Sequence, residues 1–319
     1  MSVLSKVTPV RGAPPGRSTT RQSRRPSRLN RRRDAVTGYL FVAPQVLGIL
    51  TFVIVPLSLV FYYSFNEWNV LAGTFKFVGA ANYRQLVSDP QFGEVILATV
   101  IFSVGLVAIN IPLALLLAVM LNRQGRGIAV FRTLFFSPVV VSLVAWTLVW
   151  GFLLQDNGGI NGILHAVGIQ GPNWLQSGPT AMAAVIVVQI FKNVGLNMVL
   201  FLSALQGVPT ELYEAARVDG ATSRTVFRRI TLPLISPTLL LTIIITIVGS
   251  LQVFAQIAVL TQGGPGLSTT VLVYYLFQQA FDFHHFGYGS TLAIVLFLVV
   301  LALTVLQWQM RKRWVFHEN

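Results

Sequence analysis

The sequence predicts an all-α integral membrane protein that crosses the bilayer six times. Its 319 residues are 54 % hydrophobic and only 10 % charged, with a mean hydropathy of +0.69. Soluble domains carry about a quarter charged residues. Six stretches, roughly 39–63, 95–121, 131–154, 180–205, 234–260 and 289–310, have almost no interior charge, and each holds the about 20 residues that span a bilayer core of about 30 Å. The third observation is the way basic residues alternate between successive connections.

That alternation orients the chain. Residues 1–38 carry Lys6 and arginines 11, 17, 21, 24, 25, 28, 31, 32 and 33 against Asp34 alone, a charge of +9 out of the total of +13. Arg123, Arg126 and Arg132 mark the second inner connection, four arginines the third, and Arg311, Lys312 and Arg313 the C-terminus. Connections 155–179 and 261–288 have no Lys or Arg, and the first outer loop has only Lys76 and Arg84. Positive residues collect on the cytoplasmic side, so both termini are expected there. Basicity is thus a property of the arm. No basic groove with interleaved aromatics follows it, so nucleic acid is not an expected partner, whereas anionic lipid suits the arm.

In order along the chain, 1–38 reads as a disordered basic cytoplasmic arm, rich in Arg, Pro, Ser and Gly. Residues 39–94 hold the first span and an outer loop with Trp68, Phe75, Phe77 and Tyr83, which suit an interfacial position. Residues 95–310 form the main transmembrane domain, and 311–319 a cytoplasmic tail. Prolines and glycines inside spans (Pro56, Pro112, Pro138, Pro237, Gly195, Gly249) are tolerated where neighbours satisfy the freed backbone. Gly263-Gly264-Pro265-Gly266 reads as an outer turn. The chain has no cysteine, and its histidines (165, 284, 285, 317) lack ligand spacing, so thiolate chemistry is excluded and a metal is not expected.

The connection 206–233 is the most charged internal segment, with Glu211, Glu214, Arg217, Asp219, Arg224, Arg228 and Arg229 inside "ELYEAARVDGATSRTVFRRITLP". It reads as two short helices. Thr210 is a plausible cap of the first, and Leu212, Ala215 and Ala216 share a face. Gly220 ends it, Thr222 or Ser223 caps the second, and Val226, Phe227 and Ile230 form a stripe. Pro233 then opens the next span. An amphipathic connector and a partner-docking elbow both fit these residues.

Glu214-Ala215-Ala216, three residues, Gly220, nine residues, then Ile230-x-Leu232-Pro233 resembles the "EAA" signature of integral-membrane subunits of ABC importers. From about Tyr39 onward the chain is similar to maltose-type sugar permeases, through "FVAPQVLGILTFVIVPLSLVFYYSF", "FVGAANYRQLVSDPQF", "FRTLFFSPVVVS", "FLSALQGVPTELYEAARVDGA" and "LTQGGPG". The resemblance implies a type I importer permease fold with cytoplasmic coupling helices. Glu214, Ala215, Ala216, Asp219 and Gly220 would then dock in a nucleotide-binding subunit, with Arg217 and Arg224 at the rim. It also implies a second homologous permease, two ATPase subunits and an extracytoplasmic solute-binding lipoprotein. No GxxxxGK[ST] loop is present. ATP and Mg would therefore be bound by the partner subunit, and this chain would be a non-catalytic pathway without a cofactor of its own.

Polar residues at mid-membrane depth point to function. Lys192 stands about midway along 180–205 with Gln189, Asn193 and Asn197, and the next span adds Thr246, Ser250, Gln252 and Gln256. Gln252 and Gln256 share a helix face, one turn apart. The resemblance places substrate contacts at Phe191, Lys192, Asn193 and Leu196, and at Thr246, Gly249, Ser250 and Val253. A sugar or related polyhydroxylated solute suits amides, hydroxyls, a cation and a ring; glycerol phosphate or a glycerophosphodiester is the alternative. The same polar groups also serve as glue between membrane helices. An ion-coupled secondary transporter would be expected to carry carboxylates inside its spans, and these have none.

Overall fold

The computed structural model describes residues 28–70, 73–123, 125 and 127–314. Most of the expected disordered arm, and the end of the tail, lie outside the described residues. Helix α1 (Arg28–Ile49) starts well before the expected span, so 28–38 are helical. Arginine is a good helix former, and a helix already nucleated in the apolar segment propagates at little cost. A wide turn, Leu50–Ile54, follows. The described residues up to Pro56 form one compact unit and those from Leu57 a second.

After α2 (Val55–Ser64) comes an addition to the all-α expectation. Strands β1 (Asn66–Asn69) and β2 (Thr74–Phe77) pair antiparallel with Trp68 opposite Phe75. Aromatic residues favour such a pleated, half-covered surface. Trp68 also stacks on Tyr63 (4.8 Å between ring centres) and on Phe286 (5.2 Å).

Helices α3 (Ala81–Ser88) and α4 (Pro90–Leu121) lead to α5 (Ile128–Val140) and α6 (Leu143–Leu153). Short α7 (Gly159–Ala166) precedes the long α8 (Gly178–Gln206). Then follow α9 (Thr210–Val218), α10 (Ser223–Val226), a wide turn Phe227–Thr231, and α11 (Leu232–Leu234). Helices α12 (Ser236–Leu251), α13 (Ala255–Leu260), α14 (Leu272–Phe277) and α15 (Phe286–Trp314) complete the described chain.

Gly38–Tyr63, Pro90–Leu121, Gly178–Gln206 and Phe286–Gln307 are continuous helices long and apolar enough to cross a membrane. The other two expected spans are broken. The 131–154 stretch becomes α5 and α6, bent by 102°. Pro138 has no N–H for the Leu134 carbonyl, and Ser137 Oγ donates to it instead at 2.9 Å. The chain then runs extended through Val141 and Ser142. The 234–260 stretch breaks between α12 and α13, where Gly249 weakens the helix and Ser250 Oγ bonds back to the Ile247 carbonyl. Gln252 and Gln256 therefore share no face: Gln252 is exposed and Gln256 buried. Pro233 lies in the first turn of short α11, as expected of a helix start, and Pro237 in the first turn of α12. The helix ending at Leu234 meets α12 at 68°.

Helices α4 and α8 form the centre of the second unit. Phe102, Leu106, Val185, Val188, Met198 and Phe201 are fully buried between them and their neighbours. Ala98, Ala114, Ala118, Ala181 and Ala184 are buried as well, the small-residue packing that membrane helices use. At Gly195 helix α8 lies close against α5, since a Cβ there would lie 1.9 Å from the Phe135 carbonyl oxygen. The Gly263–Gly266 segment is a turn, as expected, closed by Thr269 and Thr270 hydroxyls on the carbonyls of Gly264 and Gly263.

At the start of α4, one Asp89 oxygen caps Gln91 N–H at 2.9 Å. Its other oxygen accepts from the hydroxyls of Tyr275 (2.7 Å) and Tyr288 (2.8 Å). Burial works to raise the Asp89 pKa, but these donors together outweigh it and hold it below the ordinary carboxylate value. Burial and the Asp89 carboxylate push the Tyr275 hydroxyl up to about 12, so it stays a donor. A carboxylate with a lowered folded-state pKa stabilises fully above its unfolded value of 3.8 and loses that contribution as pH falls through the folded one. Asp89→Ala is expected to cost about 2 kcal/mol at pH 7. In thermal unfolding of the solubilised protein, the gap from wild type should narrow below pH 3.8.

Candidate functional site: the charged elbow and the mid-span polar cluster

The charged connection folds into an elbow. Helix α9 starts at Thr210 behind Pro209, with no side-chain cap, so Thr210 is the first helical residue and not the cap. Glu211 lies in the first turn, where the helix dipole favours an acid. At the other end Ala221 N–H bonds the Ala216 carbonyl (2.9 Å) and Gly220 N–H the Arg217 carbonyl (3.1 Å). This pair of bonds is the Schellman arrangement, and it requires Gly220 at φ +71°. Thr222 then caps α10, accepting from Thr225 N–H at 3.3 Å.

The faces of the elbow differ from the expected ones. Ala216 points inward and is buried, while Leu212 and Ala215 are exposed together with Glu211, Glu214, Arg217, Asp219 and Arg224. Val218 is 89 % exposed. Helical spacing from Glu211, Glu214 and Ala215 puts it on their stripe. Tyr213 ties the inner side to Thr231, at the end of the wide turn that follows α10 (3.2 Å). Val226 and Phe227, with Tyr213, Leu205 and Val119, line a 320 Å³ cavity under the elbow. The inner side is thus anchored to the spans, and an apolar and charged stripe is left outward.

The mid-span candidates separate into three groups. Asn197 is only 3 % exposed; its amide donates to Asn110 Oδ1 (2.6 Å) and Thr246 Oγ1 (3.1 Å), which joins α4, α8 and α12. Thr246 in turn bonds the Thr242 carbonyl. Gln256 donates to Gln189, joining α13 to α8. Ser250 and Val253 are buried as well. The amides and hydroxyls among them act as glue, because such groups, buried without water, must find partners.

Lys192, 9 % exposed, donates to the carbonyls of Pro138 and Val141 at 2.5 Å each, and to Val139 at 3.5 Å. It too is engaged inside the protein. The third group is open. Phe191 is 50 % exposed with its ring against Trp150 (5.4 Å), Leu196 is exposed, Asn193 is half-buried, and Gly249 has open space where a side chain would be. Among the described residues no group of three His, Asp or Glu could hold a metal ion.

Residues 110–312 match the family described as binding-protein-dependent transport system inner membrane component. The chain belongs to that family. Within it, the chain is 34 % identical over 275 residues to the arabinooligosaccharides transport system permease protein of Bacillus subtilis, covering 84 % of this chain and 86 % of the relative. It is 37 % identical over 280 residues to the lactose transport system permease protein of Rhizobium radiobacter, covering 85 % and 93 %. A chain of a bacterial ABC transporter involved in import of the acidic polysaccharide alginate superposes with a TM-score of 0.77 at 25 % identity, covering 89 % of this chain and 98 % of that one. This inner membrane component therefore has the type I permease fold and the multi-pass helices read from its sequence. Its place in the family sets it among transport components.

Proposed function

We propose that this chain is the permease subunit of an ATP-driven importer for a sugar or oligosaccharide. The observation that carries the reading is the elbow: an anchored inner side, and an outward stripe on which a valine is 89 % exposed. An apolar residue held out on a rigid turn, ringed by charges, suits a docking partner. The partner is a separate ATPase in the cytoplasm, which holds the ATP and Mg. Glu214, Ala215, Arg217, Asp219, Gly220 and Arg224 meet it, and Ala216 holds the inner side. A second homologous permease, two ATPase copies and a solute-binding protein outside the cell complete the assembly. Both termini face the cytoplasm.

Transport proceeds by alternating access. Closure of the ATPases moves the elbow, and the spans around the cargo reopen toward the other side. Sugar permeases among the relatives favour a sugar over glycerol phosphate. Phe191 is a sugar-stacking ring, with Asn193, Leu196 and Gly249 as the remaining pathway lining. Lys192, Asn197, Thr246, Ser250 and Val253 shape that lining from behind. In vesicles with the partner subunits, ATP-dependent uptake of labelled oligosaccharides should appear only with the ATPase present. Phe191→Ala should raise the half-saturation concentration about tenfold, the loss of one stacking contact of about 1–2 kcal/mol. Uptake without the ATPase, or uptake of glycerol phosphate alone, would overturn the reading.

A further inference from the structure

A helix that ends inside a membrane leaves its last carbonyls without donors, and they carry the negative end of the helix dipole. Helix α5 ends in this way at Val140. A glycine in the left-handed conformation commonly supplies the missing N–H groups. Here Val141 follows with ψ 139° and Ser142 with ψ 136°, so the backbone turns away and offers none. The donor comes from another helix. Lys192 of α8 directs its ammonium at the carbonyls of Pro138, Val139 and Val141.

We propose that Lys192 is the cap of this broken span, a positioning residue that sets the α5–α6 hinge from α8. An ammonium has three N–H groups, and three carbonyls receive them. No carboxylate is among its hydrogen-bond partners, so the helix end itself is the counter-charge. The Trp146 ring of α6 lies 5.9 Å from the same nitrogen, and its indole N–H donates to the Val188 carbonyl of α8 at 3.2 Å. Both arms of the hinge are thereby held by one helix, and Phe191 stands next to the cap on that helix's exposed side. A charged lysine in the middle of a membrane span is costly, and the carbonyls at the bend compensate it. The hinge belongs to this chain alone, whatever the cargo.

The chain has no cysteine, so Phe131→Cys on α5 and Phe152→Cys on α6 give clean sites for a pair of spin labels across the bend. In the labelled protein, Lys192→Met keeps side-chain length and removes every donor. It is expected to broaden the distance distribution, and Lys192→Gln, which keeps amide donors, should fall between Met and wild type. In uptake, Lys192→Met should lower the maximal rate about tenfold, as an unsatisfied carbonyl set of about 1.4 kcal/mol would. The half-saturation concentration should stay unchanged, because no N–H of Lys192 is free for the cargo. An unchanged distance distribution in Lys192→Met overturns the proposal. So does a raised half-saturation with an unchanged maximal rate, which would make Lys192 a substrate contact. If the Met variant does not reach the membrane, the Gln variant decides by the same distances. The distance measurement needs no transport, so its failure is separable from failure of the importer reading.

Discussion

Gly195→Val is expected to leave little folded protein in the membrane. The position is a close backbone approach between α8 and α5, where an added Cβ falls 1.9 Å from the Phe135 carbonyl oxygen, 2.6 Å from its carbon and 3.0 Å from Phe136 Cα. These are backbone atoms of a helix, so no rotamer change relieves the clash, and one helix must move away. Overpacking in a filled core costs about 1–3 kcal/mol even where side chains yield, and here the cost should lie at the top of that range or above. The displacement would also separate Lys192 from the carbonyls of Pro138 and Val141. Thermal unfolding of the solubilised protein, with yield from membranes, checks this. Gly105→Ala serves as the control, because its added Cβ meets only the end of the Ile186 side chain. A Gly195→Val protein with wild-type yield and melting would show that the two helices do not pack as described.

The second large effect is at the elbow. Val218→Glu should abolish ATP-driven uptake while leaving the permease itself as stable as wild type. Val218 is 89 % exposed, and exposed substitutions away from special backbone sites change stability by about 0.5 kcal/mol or less. At a docking surface the same change buries an unpaired charge, and a central contact is worth about 2 kcal/mol or more. Association with the ATPase should therefore weaken by about thirtyfold or more, the equivalent of that energy. Co-purification of the ATPase and ATP-dependent uptake in vesicles are the readouts, with melting of the isolated permease as the check on folding. Retained co-purification and uptake would mean that this stripe does not face the motor.

The elbow was legible in sequence because its signals are local. Gly220 is followed by Ala221 and a capping threonine, and the structure builds the left-handed turn and the cap from those residues. The choice of inward and outward faces was less legible, since α9 is short and Ala215 and Ala216 are equally small. Tyr213 and Thr231 decide it by holding one side of the elbow down.

The mid-span residues show the opposite limit. Polarity in an apolar run marks Lys192, Asn197 and Thr246 as unusual, but says nothing of who satisfies them. Asn197 meets Asn110 from 87 residues away, and Lys192 reaches carbonyls more than 50 residues away.

By itself, then, the chain determined its solvent, its number of apolar stretches and the sites of its turns, because these depend on composition and on neighbours within a few residues. Which stretches run straight and which break was a tertiary matter. Pro138 and Gly249 permit a break, but the Lys192 ammonium satisfies the carbonyls at one bend, and the Asn110–Asn197–Thr246 bonds join helices distant in sequence. In a medium without water a backbone can leave its helix only where another part of the chain supplies the missing bonds, and that partner is known only once the helices have packed.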